Sequence, residues 1–345
     1  TKFSNDILFS SISLSPSNSY FQILNFTSLL IVVFILNMIF YTDRHKERLY
    51  LFLSIIGFLA SVFAIMIYLN GNPNFFFFNN SYYSNSASGF FINRTVFAIF
   101  LSFCLIASLE ILRSLDKKKI KINQDNFFSK IYIRLFIIFI TIGIITSFSR
   151  IGNFLLLITV FFYLINEFFF QKNDNKSFRN IILLILFFDI VVLAMYFGSS
   201  QLFDRFYFLK DEIIFSKSSE INLKRFEIIK FSLNQLYNFK FFGYGTGSFE
   251  TLFKINFNNS NNLFANHAHS DLIEFIGEFG LIGLILLFIS LFNFLKKKIT
   301  FNFINLILLS YLIILLAFDF SLHIPIIQIF FIIFFAINKK STQLN

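Results

Sequence analysis

Residues 266–283 read NHAHSDLIEFIGEFGLIG. Two of the chain's four histidines, His267 and His269, stand two residues apart where an apolar helical pattern begins. Ser270 or Asp271 can cap that helix, because a short polar side chain accepts from the free N–H groups of a first turn. His269 then lies at the positive end of the helix, where the macrodipole disfavours the imidazolium form. A neutral imidazole there can take a proton from a hydroxyl, and the same helix end can hold a phosphate. Two other readings stay open: a pair of polar loop histidines, or His267, His269 and Asp271 as metal ligands. No further ligand follows at metal spacing, so no metal is expected. Within the helix, Glu274 and Glu278 must face inward to avoid lipid. Gly277, Gly280 and Gly283 allow close helix packing.

The arginines are the second set. Arg150, in SFSRIGN, falls in a tight turn between two apolar runs. A charge at the edge of the apolar layer is costly unless paired or wet, so Arg150 snorkels or binds an anion. Arg94, in GFFINRTVFA, and Arg225, beside Lys224, pose the same choice. FFGYGTGSFE (241–250) supplies Gly243, Gly245 and Gly247. Such a run is a plain turn or a nest of backbone N–H groups for an anion. It is neither a Walker A loop nor a dinucleotide fingerprint. His323, in SLHIP, sits in a short connection near Asp319 and lines a site or an ordinary turn; His45 lies in a basic loop and has no assigned role.

These residues have to be held by membrane helices. The 345 residues are 56% hydrophobic with only 14% charged, against about 25% charged in soluble domains. Mean hydropathy is +0.72. Several apolar runs reach the roughly 20 residues that cross a bilayer. The pattern predicts an all-α, polytopic transmembrane bundle of about nine spans. They cover 23–41, 49–69, 91–112, 131–148, 151–170, 180–197, 271–294, 299–318 and 324–338. Charge along the connections alternates. TDRHKER, DKKKIK, QKNDNKSFR, the KKK at 296–298 and the NKK at 338–340 are basic, whereas 70–89 carries no charge. The basic loops therefore face the cytoplasm. The other side receives the N-terminal segment, 70–90, the turn at 149–150, 198–270 and SLHIP.

Three regions follow. Residues 1–197 form an N-terminal bundle of about six spans, 198–270 a long loop, and 271–345 a C-terminal group of about three spans. A loop that long is functional as a rule. Its stretch 220–239 places Ile221, Leu223, Phe226, Ile229, Leu233 and Leu236 at helical spacing, which predicts an amphipathic helix on the membrane surface. The net charge of +10 resides in the short loops, which argues against a nucleic-acid partner. A single Cys104 excludes an internal disulfide. No cleavable leader pattern is present, and the chain opens at Thr1 rather than Met, which leaves room for helices upstream.

Four stretches, in order, resemble the O-antigen ligase and polymerase superfamily of bacterial envelope glycosyltransferases. GFFINRTVFAIFL is similar to its Gly-x-Phe-x-Asn-Arg segment, and SFSRIGNFLLL to its Ser-Arg segment. LKRFEIIKFSLNQLYNFKFFGYGTGSFE is similar to its arginine helix and glycine turn, and HAHSDLIEFIGEFGLIGLILL to its histidine helix. Ser270 stands where Asn is commoner, and Thr95 where a second Asn is expected; both are polar.

The resemblance, which covers roughly residues 85–340, implies an activity. A glycan leaves an undecaprenyl-diphosphate carrier at the periplasmic face of the inner membrane and joins an acceptor hydroxyl, such as a sugar of lipid A–core or another glycan. No metal, nucleotide or other cofactor is implied. Arg150 and Arg225, with Arg94 as a third, would clamp the diphosphate, since the guanidinium fork matches phosphate oxygens. His269 would accept or orient the hydroxyl proton, with His267 as second choice. Gly243, Gly245, Gly247 and Glu278 would support the site, under a mobile loop. A direct displacement would invert the anomeric carbon. Ligase, polymerase and protein O-oligosaccharyltransferase share this chemistry. A transporter is a different class; Asp189 within a span fits it, but no inverted repeat does. A structural scaffold would need neither the arginines nor the histidines.

Overall fold

A computed structural model of the protein describes residues 13–39, 43–73, 86–117, 124–167, 225–257, 265–296 and 303–338. Among them are ten α-helices and no strand. The helices are α1 (Pro16–Ile39), α2 (Asp43–Leu69), α3 (Arg94–Lys117), α4 (Gln124–Thr146) and α5 (Arg150–Ile165). Then come α6 (Arg225–Asn238), α7 (Phe249–Asn256), α8 (Asp271–Lys296), α9 (Phe303–Phe318) and α10 (Pro325–Ile337). A 3-10 turn, Ser321–His323, precedes α10. Pro16 and Pro325 each open a helix, where a missing N–H breaks no intrahelical bond.

Five helices, α1 to α4 and α8, are long and apolar enough to cross a membrane, and α5, α9 and α10 are shorter apolar helices. These eight fall on eight of the expected spans; the span at 180–197 lies outside the described residues. The architecture is that of a polytopic helical membrane protein, as the hydropathy pattern predicts.

The chain divides into two compact units. One comprises Ile35–Phe203, Asn302–Tyr311 and Ile326–Asn345. Its centre is α3, 89% of whose apolar window is buried, packed against α2, α4 and α5. Phe103 sits amid the rings of Tyr311, Phe330, Phe331 and Phe334, with centroids 5.0–5.6 Å away. Small residues let the helices close up. A Cβ on Gly143 would come 2.8 Å from Leu101 and 2.9 Å from Ser61.

The other unit comprises Thr1–Phe34, Asp204–Phe301 and Leu312–Pro325. Here α6 packs on α8. The amphipathic reading of 220–239 corresponds to α6, which buries Ile228 and Phe231 and exposes Phe226 and Leu233. Ile221 and Leu223 lie outside the described residues. Phe231, Tyr244, Phe249, Leu252 and Phe253 form an apolar core beneath the glycine turn.

Candidate functional site

Helix α8 opens with Asp271 and Glu274 in its first turn, where carboxylates complement the helix dipole. Neither expected cap acts as one. The Ser270 hydroxyl donates to the Leu316 carbonyl at 3.1 Å. The Asp271 carboxylate accepts from the Leu322 N–H at 2.9 Å and from His323 Nδ1. The Asp271 N–H donates to the Asp319 carbonyl at 2.9 Å. These bonds tie the start of α8 to the 3-10 turn. His323, left open between a site residue and an ordinary turn, thereby becomes part of a charged cluster.

Glu274 is at the centre of that cluster and is 2% exposed. One carboxylate oxygen accepts from the Ala268 N–H at 2.9 Å. The other lies 3.1 Å from His267 Nδ1 and 3.5 Å from His323 Nε2. The His267 ring stacks on Phe320, with centroids 5.0 Å apart and planes 11° apart. Burial pulls the His323 pKa down. The Asp271 hydrogen bond and the charges of Glu274, Asp271 and Glu278 outweigh that and push it up to about 9. At neutral pH His323 is therefore an imidazolium bridging two carboxylates. Glu274 also holds His267 by Nδ1.

His267, Glu274 and His323 bring ligand-type atoms within 4.8 Å of one another. This donor set differs from the one weighed in the sequence, with His323 and Glu274 in place of His269 and Asp271. The same side chains contact one another directly, His267 and His323 each against Glu274. His269 has a positive φ of 59° and meets Phe320 edge-on at 5.4 Å.

The glycine turn is built against a break in α8. Gly280 takes φ 66° and ψ −168° inside the helix, which frees carbonyls before it and N–H groups after it. The turn satisfies both. Tyr244 N–H donates to Gly277 at 3.0 Å and Gly245 N–H to Glu278 at 3.1 Å, while Leu281 N–H donates to Lys240 at 2.8 Å. Gly243, also at positive φ, lies so close that a Cβ would strike the Glu278 carbonyl. The Glu278 carboxylate accepts from the Gly247 N–H at 2.6 Å. The group that this N–H holds is thus the protein's own Glu278 side chain. The three glycines of the turn and Glu278 come together as one structural piece.

Helix α1 completes this region, which its sequence as a plain span does not announce. Ser13 hydroxyl lies 3.0 Å from that of Ser248, and Ser19 hydroxyl donates to the Thr246 carbonyl at 2.7 Å. Asn18 Nδ2 donates to the Gly247 carbonyl at 3.2 Å. The signal was the polar run SLSPSNS ahead of the apolar stretch. A cavity of about 240 Å³ opens here. Asn18, Phe21 and Gln22 of α1 line one part of it; Gly247, Phe249 and Glu250 line another. Asn266, His267, Glu274 and His323 complete the wall.

Arg94 and Arg150 belong to the other unit. Arg150 is the first residue of α5, whose N-cap Ser149 accepts from the Gly152 N–H at 3.1 Å. Arg94 is the first residue of α3, where the Asn93 side chain accepts from the Thr95 N–H at 2.8 Å. A Cβ on Gly152 would strike Ala98, so α3 and α5 touch within two turns of both arginines. The two guanidinium-bearing residues open adjacent helices at the same end, both half-buried. Arg225 is the first residue of α6.

No curated protein matches the chain. A family model does, and its segment holds Arg150, Arg225, the glycine turn, both histidines of the pair, Glu274 and Glu278, while α1, Arg94 and His323 fall outside it. Residues 135–288 match the model described as O-antigen ligase, and through that segment the chain is similar to the O-antigen ligase family of glycosyltransferase-like enzymes.

Proposed function

We propose that the protein is a ligase that moves a glycan from undecaprenyl diphosphate to a sugar hydroxyl of lipid A–core, at the periplasmic face of the bacterial inner membrane. The observation that carries this reading is the His267–Glu274 pair, 3.1 Å apart on a polar cavity within a segment that matches the ligase family. The acceptor oxygen attacks the anomeric carbon, its bond to the carrier phosphate breaks, and the carrier leaves as the diphosphate. The hydroxyl proton passes to a histidine of the pair. Cavity contact favours His267, oriented by Glu274; the family resemblance favours His269. One displacement inverts the anomeric carbon. Arg150, Arg94 and Arg225 neutralise the diphosphate as it departs, and half-buried helix N-termini at Arg94 and Arg150 suit an anion. The scheme uses no metal, because a histidine and arginines supply both the base and the charge.

The test is reconstitution in lipid with an undecaprenyl-diphosphate glycan and lipid A–core. Glycan-modified lipid A–core from the wild type, lost in His267→Ala or His269→Ala and in Arg150→Ala, is the expected result. Longer carrier-linked chains would make the protein a polymerase with the same chemistry. Product on a serine-containing protein would make it an O-oligosaccharyltransferase. No product with any acceptor would overturn the transferase reading.

A further inference from the structure

The charged cluster supplies only part of the cavity's lining. Residues of α1 and Asn266 supply another part, and their chemistry is unlike that of the cluster. Gln22 is half-buried and Asn266 exposed. Among the described residues neither side-chain amide has a hydrogen-bond partner. Asn18 commits its amide nitrogen to the Gly247 carbonyl, which leaves its carbonyl oxygen. Phe21 stands beside them and is 68% exposed.

Unpartnered amides on a cavity wall point to a ligand. Each amide offers a donor and an acceptor side by side in one plane. Vicinal hydroxyls on a sugar ring present the complementary pair, since every hydroxyl both donates and accepts. The exposed face of Phe21 suits the apolar C–H face of a pyranose, and an aromatic ring gives such contact at little entropic cost. A phosphate would require cationic side chains, and the cavity wall contains none except the paired His323. At about 240 Å³ the cavity falls below the roughly 300 Å³ at which pockets for drug-sized ligands begin. A volume of that size suits one sugar ring.

We infer that Gln22, Asn266, Asn18 and Phe21 form a subsite for a single sugar ring, and that this ring is the acceptor whose hydroxyl faces His267. The identity of the ring as acceptor rests on the transferase reading; the sugar site itself does not. A sugar subsite beside the base favours a glycan acceptor over a protein serine, because a serine side chain has no ring and no vicinal hydroxyls to engage the amides. Helix α1, which lies outside the family-matched segment, then sets which sugar is accepted.

The experiment uses the full chain in lipid nanodiscs and a panel of methyl glycosides of hexoses and heptoses, read by saturation-transfer NMR. Wild type should saturate ring protons of at least one glycoside. Gln22→Ala and Phe21→Ala should reduce that signal at least fivefold, while Leu30→Ala, on the exposed part of α1, should not. No saturation of any glycoside by the wild type would overturn the subsite, as would signals that persist in both variants. Where transfer is measurable, the two variants should raise the acceptor KM at least tenfold with kcat within twofold. Active transfer with an unchanged acceptor KM would overturn the subsite and leave the transferase reading standing. Glycoside binding without any transfer would do the reverse.

Discussion

Two regions of this membrane protein bury ionisable groups in apolar surroundings, and they do so to different ends. In the unit centred on α3, Arg113 lies 3.5 Å from Glu110 and 3.6 Å from Glu167, and Tyr163 donates to Glu110 at 2.8 Å. The arginine side chain is 13% exposed and that of Glu167 only 4%. Charges there are consumed by partners on neighbouring helix turns, and none of these residues lines the cavity of the other unit. In that other unit, His323 meets Asp271 through Nδ1 and lies 3.5 Å from Glu274 through Nε2. Yet Glu274 also reaches His267, whose side chain is 34% exposed. Among the described residues, the first cluster pairs its charges with one another. The second passes its charge to a ring at a cavity wall. A buried charge is therefore a weak sign of function by itself; what marks a site is a buried charge with an outlet.

The strongest way to break that comparison is to neutralise one charge in each cluster. Glu274→Gln keeps the size of the side chain and an acceptor for Ala268, but it removes the charge that orients His267. Transfer should fall about 100-fold, the scale of lost general-base support, with thermal melting shifted far less. Glu110→Gln should leave the rate per folded molecule within about twofold and lower the melting temperature instead. Equal losses of activity in the two variants would mean that the outlet makes no difference.

A second test concerns the backbone that supports the outlet. Gly280 has a positive φ, and a Cβ there would strike the Phe241 carbonyl. Gly280→Ala should destabilise the protein by about 1–3 kcal/mol, from a strained backbone conformation plus the clash. Thermal melting in detergent checks it. An unchanged melting temperature would show that the glycine turn is not held against α8 as described.

A third test sharpens the role of His323. Its pKa of about 9 lies above the ordinary 6.5. Its contribution to stability is therefore complete below pH 6.5 and lost as pH rises through 9. The melting temperature of wild type should drop between those values, and His323→Gln should lie lower at pH 6.5 and respond less to pH across the same window. Parallel curves for the two proteins would remove His323 from the cluster.

The spans and the motifs were legible in the sequence for different reasons. Hydropathy reveals a span because lipid demands an apolar run of fixed length, and eight of the expected spans coincide with helices. The His267, glycine-turn and Glu278 elements were legible because their residue types are rare in a chain of Phe, Ile and Leu. What sequence spacing did not reveal was closure across distance. His323 is 52 residues from Asp271, and Ser13 is 235 residues from Ser248. Periodicity reports only local faces, so neither contact leaves a local pattern. The break at Gly280 was hidden too. A glycine every three residues reads as a smooth packing face, whereas the turn at 240–245 requires a helix opened to receive it.

The smallest expected effect belongs to the first cluster. Tyr163→Phe removes one hydrogen bond to Glu110, and Glu110 still has Arg113 nearby. A hydrogen bond to a charged group contributes roughly 1.5–3 kcal/mol, and the remaining ion pair offsets part of that loss. A cost of about 1 kcal/mol follows, with no change in the rate per folded molecule. Chemical or thermal unfolding of Tyr163→Phe beside wild type reads the first quantity, and the reconstituted assay reads the second. A transfer rate that fell with Tyr163→Phe would couple the first cluster to the chemistry. The distinction between the two regions would then have to be drawn by exposure alone, not by where the charge leads.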